Sequence, residues 1–118
     1  MKKKFKLSQI EQLNSELVFL LKEKLKFSVK WEIKLLIEQI EKPLNNFKEL
    51  QNDLFKKYGV EENGKITLLN ENIEIATKEL KELSEKTFNL EGYLKMKDLK
   101  DLKSENPYYL IFNLIKHD

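Results

Sequence analysis

The chain lacks cysteine altogether. That excludes disulfides, zinc ribbons, thiol nucleophiles and iron–sulfur ligation. Secreted domains of this size often carry such staples, so a reducing compartment is expected, with the cytosol the natural location. Arginine is also missing, and all 22 basic residues are lysine. Arg supplies the planar fork that reads guanine and grips phosphate in pairs of bonds. A sequence-specific DNA reader is therefore disfavoured. With Gly 3 and Pro 2 in 118 residues, there is little material for loops. Long apolar runs are absent too: the longest, Leu17 to Leu21, falls far short of the ~20 residues a membrane-spanning helix needs. The basic start Met1-Lys2-Lys3-Lys4 suggests a signal peptide. Gln9, Glu11, Gln12, Asn14 and Glu16 break up the place where its apolar region would lie, so that reading is rejected.

What remains is a chain 41% hydrophobic and 36% charged, rich in Leu, Lys and Glu. It is too apolar for disorder and suits one mainly helical domain spanning 1–118, an α+β fold dominated by helix. Residues 1–6 read as a flexible basic tail. Charge is uneven: nine Lys face four Glu over residues 1–34, whereas twelve carboxylates face eight Lys over 35–92.

Ser8 and Glu11 have the spacing of a capping box, and Ile10, Leu13, Leu17, Leu20 and Leu21 then share one helical face. Ser28 can cap a second, longer helix. Along it Ile33, Ile37, Ile40, Leu44, Phe47, Leu50 and Leu54 predict one continuous buried seam. Pro43 lies inside this helix and should kink or split it. Gly59 is expected as a left-handed C′ residue. Asn63-Gly64 marks a tight turn, and residues 65–69 suit a short strand. Asn70 or Asn72 can cap a third helix carrying Ile73, Ala76, Leu80 and Leu83. The period then changes. Phe88, Leu90, Gly92, Leu94 and Met96 alternate with polar neighbours, which predicts a half-buried strand. Pairing of 65–69 with 87–96 would give a minimal two-stranded element. Asn106-Pro107 opens a short apolar C-terminal helix, Tyr108 to Lys116.

Catalytic and metal constellations are hard to find. Residues 59–70 loosely follow a calcium loop, but Gly59 and Asn70 stand where the first carboxylate and the bidentate Glu belong. His117 is the only histidine and lies one residue from the end. The five serines have no glycine elbow and no spare histidine beside them. No Gly-rich phosphate loop is present. No cofactor is expected, and the chain reads as a non-enzyme.

Two sets of residues point to binding instead. Trp31, Tyr108, Tyr109 and Phe112 are aromatic groups of the kind that anchor protein interfaces. On the C-terminal helix, Leu110, Ile111, Leu114 and Ile115 already form an inward face, which leaves aromatic surface over. The second set, Lys2, Lys3, Lys4 and Lys6, could hold nucleic acid through its phosphates. The small net charge argues against nucleic acid as the main partner.

The middle of the chain also carries a resemblance. Lys56-Lys57-Tyr58-Gly59, Glu62-Asn63-Gly64-Lys65-Ile66, Asn70 leading to Ile73, Leu80-Lys81-Glu82-Leu83 and Phe88-Asn89-Leu90 resemble a family of short uncharacterised tailed-phage proteins. Asp98-Leu99 and Pro107 extend the likeness to about residues 30–115. The resemblance implies a long helix ending in a Tyr-Gly turn, an Asn-Gly hairpin, another helix and an alternating strand. It also implies a phage or prophage origin, and it carries over no site residues. The expectation is a non-catalytic module that occupies a surface of a larger protein, as a virion-assembly accessory or an inhibitor of a host defence enzyme. Pairing of the long helix with a second copy is left open.

Overall fold

The computed structural model describes residues 2–68, 70–99, 108 and 110–116, and within these the side chains of Glu61, Glu62, Ile66, Met96, Phe112 and Lys116 fall outside the description. Strand β1 (Lys2–Lys6) passes through a 3-10 turn (Leu7–Gln9) into helix α1 (Ile10–Leu21). Helix α2 (Phe27–Tyr58) leads straight into strands β2 (Gly59–Glu62) and β3 (Lys65–Leu68). Helix α3 (Ile73–Ser84) is followed by β4 (Thr87–Glu91), β5 (Leu94–Lys95) and a single turn, α4 (Met96–Leu99). A 3-10 turn (Ile111–Leu114) and strand β6 (Ile115–Lys116) close the described chain.

Helix α2 is the spine. Its 32 residues, at about 1.5 Å each, span most of the 52 Å long axis. Val29, Ile33, Leu36, Ile40, Leu44 and Phe47 are buried along one edge, at steps of three or four. Helix α1 returns along that edge with Ile10, Leu13, Leu17 and Leu20 turned into the same core. Phe5, Phe88, Leu90 and Leu94 cover the core from the strands, and Leu99, Ile111, Leu114 and Ile115 close it.

The seam is shorter than the heptad spacing suggests. Leu50 is 50% exposed, because past Phe47 the helix leaves the main core and packs against the β2–β3 hairpin and α3. Ile37 and Leu54 are half-buried. Pro43 does not split the helix, which runs unbroken through it. Its missing N–H leaves the Gln39 carbonyl without the usual partner four residues on. Gly59 is extended rather than left-handed, at φ −117 and ψ 174, since the chain passes directly from helix into strand. On α3, Ala76 is buried but Ile73 is exposed, so the third helix turns a narrower apolar face inward than its spacing predicts.

Strand pairing departs from expectation. β3 pairs antiparallel with β2, not with the alternating segment. The reason is local: Asn63 (φ 51) and Gly64 (φ 78) form a two-residue turn that returns the chain onto its immediate predecessor. The alternating segment β4 pairs instead with β1, Phe5 opposite Phe88 and Lys3 opposite Leu90. The two phenylalanine rings stack at 5.9 Å. Residues 2–6 are thus a strand and not a tail. Strand β5 pairs in parallel with β6, which takes the end of the segment expected to be helical; the C-terminal helical element is the 3-10 turn 111–114.

The caps also differ. The Lys6 backbone N–H donates to Gln9 Oε1 at 3.0 Å, so the turn into α1 is closed two residues earlier than Ser8 and Glu11 imply. Helix α2 starts at Phe27, ahead of Ser28, with no side-chain cap. Asn72 Nδ2 donates to the Tyr58 carbonyl at 3.2 Å, satisfying the end of α2 rather than the start of α3.

Candidate functional site

The outer face of α2 follows from its inner one. With about 100° per residue, Phe27, Trp31 and Leu35 advance slowly round the helix and lie roughly half a turn from the Val29–Phe47 seam. Burying that seam forces these three outward. Phe27 is 87% exposed, Trp31 63% and Leu35 36%. One exposed aromatic is ordinary, but three large apolar residues on one ridge form a patch that needs an explanation. The other exposed apolar residues do not make such a ridge: Ile73 and Ile75, two apart on α3, point to different sides of it.

Charge around the ridge is one-sided. Lys26, Lys30 and Lys34 each precede a ridge residue by one position and form a parallel basic row. Ser28 and Glu32 follow by one position on the other flank, and Glu38 closes the ridge at its C-terminal end. Lys26 occupies the N-cap without a side-chain hydrogen bond, and the first turn holds no acid. Cations at the positive end of a helix oppose its dipole, so stability alone does not account for this helix start. Below the ridge, a groove of about 450 Å³ separates α2 from residues 92–98, with Ser28, Glu32, Tyr93, Lys95 and Asp98 on its walls.

The other expected binding residues are placed differently. Tyr108 is half-buried against the core, and its hydroxyl donates to Glu23 Oε1 at 3.2 Å. Tyr109 and the Phe112 side chain lie outside the described residues, as do His117 and Asn106-Pro107. Ile111, Leu114 and Ile115 are buried, as their spacing implies. Lys2, Lys3, Lys4 and Lys6 are exposed on β1, an edge of the two-stranded β1–β4 sheet. Lysines on an edge strand discourage pairing with a foreign strand, which explains them without a ligand.

Three polar groupings were not anticipated. Glu16 is 4% exposed, yet its carboxylate is fully engaged. Oε1 accepts the Leu110 N–H at 2.9 Å and the Ile111 N–H at 3.3 Å, while Oε2 accepts from Gln12 Nε2 at 3.1 Å. Gln39 pairs with the Glu91 backbone through both ends of its amide, each bond 2.8 Å, and so extends the sheet edge with a side chain. The Tyr58 hydroxyl donates to Glu79 Oε1 at 2.9 Å, tying α2 to α3. Lys57 Nζ sits 4.9 Å over the Tyr58 ring, and its pKa is raised by hydrogen bonding to Tyr58 and by the charge of Glu79. All three groupings hold elements together and leave no reactive group aimed at a cavity.

Among the described residues, no cluster of three or more His, Asp or Glu side chains is placed to hold a metal ion, and no helix is long and apolar enough to cross a membrane. Comparisons of the chain with protein-family models, with curated proteins and with solved structures find no match.

Proposed function

We propose that this chain is a non-catalytic protein-binding module, encoded by a phage and acting in the host cytoplasm, that occupies a surface of a larger protein through the outer face of α2. The observation that carries the reading is the Phe27–Trp31–Leu35 ridge, whose exposure follows from the geometry of the core. Trp is the residue type most enriched at interface hot spots, because it combines large buried area with a polar N–H. A virion component or a host defence enzyme is the kind of larger protein the phage resemblance suggests.

The test is capture of a partner from phage-infected cells by the purified chain, by Phe27→Ser and Trp31→Ser variants, and by a variant with Lys2, Lys3, Lys4 and Lys6 changed to Gln. Loss of capture with the first two, at unchanged melting temperature, supports the reading. Loss only with the lysine variant, and steeply with added salt, supports nucleic acid instead.

A further inference from the structure

We infer that the surface recognised by α2 is an acidic amphipathic helix of the partner, seated with its apolar residues on Phe27, Trp31 and Leu35 and its carboxylates along Lys26, Lys30 and Lys34. This rests on the protein-binding reading and adds the partner's chemistry.

Two features of α2 select that occupant. The ridge is narrow, one residue wide with four-residue steps that wind slowly round α2, so it matches the i, i+3, i+4, i+7 anchors of a single helix rather than a broad flat surface. The basic row runs along one flank only. Lys26 and Lys34 are exposed and Lys30 is half-buried, and Lys26 and Lys30 flank the first, positive turn of the helix. Their summed field favours carboxylates at that flank, whereas on the other flank Glu32 and Asp98 line the groove with Lys95 and leave no excess of positive charge.

The same asymmetry argues against other occupants. A lipid surface presents negative charge on both sides of a helix lying in it, and interfacial helices answer with lysines on both flanks. Here the second flank carries Ser28 and Glu32. A second copy docked antiparallel would bring the lysine rows face to face, and one docked parallel would offer three lysines the single carboxylate of Glu32.

The chain's one tryptophan sits on the ridge and reports directly on its cover. The protein is titrated with a synthetic helical peptide of roughly 20 residues carrying Leu at the four anchor spacings, Glu along one flank of them and Ala and Gln elsewhere. A counterpart with Gln for each Glu and vesicles of phosphatidylcholine and phosphatidylserine complete the set. The expected result is a blue shift of Trp31 emission with the acidic peptide, at an affinity about tenfold above that of the Gln peptide. Combined Lys26→Glu, Lys30→Glu and Lys34→Glu, or Phe27→Ser alone, should weaken it by about tenfold or more. Lys26→Glu and Lys30→Glu should not lower the melting temperature, because acids suit a helix start better than lysines, and Lys34→Glu, beyond the first turn, adds only one weak like-charge pair with Glu38. Equal binding of both peptides overturns the charge selection and leaves the protein-binding reading standing. A shift with the vesicles alone overturns both. No shift with any probe overturns the inference, while partner capture decides the reading separately.

Discussion

Glu16 on α1 accepts the backbone N–H of Leu110, 94 residues further along the chain, at 2.9 Å. A buried carboxylate here performs the task usually left to a cap next in sequence: it satisfies the free amides at the start of the 3-10 turn 111–114. The bond joins the first helix to the C-terminal segment at the edge of the core.

Removing that carboxylate should loosen the C-terminal segment first. Glu16→Ala leaves the buried Ile111 amide and the half-buried Leu110 amide without an acceptor and should cost about 1–3 kcal/mol. Glu16→Gln keeps a carbonyl oxygen and should cost less. Hydrogen exchange at Leu110 and Ile111 checks this. Both amides should exchange faster in Glu16→Ala, with the amides of Ile33 and Ile40 changed only by the global loss.

The core seam gives a paired comparison on α2. Phe47→Ala should cost about 3–5 kcal/mol, because the ring is enclosed. Leu50→Ala, one turn on and half exposed, should cost under about 1 kcal/mol. Denaturant melts of the two variants should differ clearly. Equal losses would place Leu50 in the core after all.

Two glycines separate backbone strain from crowding. A Cβ on Gly64 would meet nothing within 4 Å, so Gly64→Ala should cost only the left-handed backbone term, about 1–2 kcal/mol. Gly92, at φ +127, is in a region almost reserved for glycine, and a Cβ there would also stand 3.4 Å from Leu36 Cδ2. Gly92→Ala should be the more damaging of the two in the same melts.

How much of this was legible from residues alone differs by element. Asn63-Gly64 announces its turn because both residues tolerate positive φ, and the alternation from Phe88 announces β4. The partner of β4 is hidden, since Phe5 is the only apolar residue of Lys2–Lys6 and one residue shows no period. Glu16 stands between Leu13 and Leu17 on the apolar face of α1, which is a signal of burial. Its acceptor role is not readable, because the amides it meets come from the far end of the chain. Trp31 is the reverse case. Its position opposite Ile33 and Leu36 already implies exposure, and Phe27 and Leu35 share that geometry, but a lone Trp draws the eye before its neighbours do.

The central claim is that the outer face of α2 is the binding face. The most direct measurement replaces Phe27, Trp31 and Leu35 one at a time by a photo-reactive phenylalanine analogue in infected cells, with Asn52, exposed further along α2, and Tyr108 as controls. On irradiation the account predicts one common adduct from positions 27, 31 and 35 and none from 52 or 108. Adducts from 108 or 52 with none from 31 would contradict it.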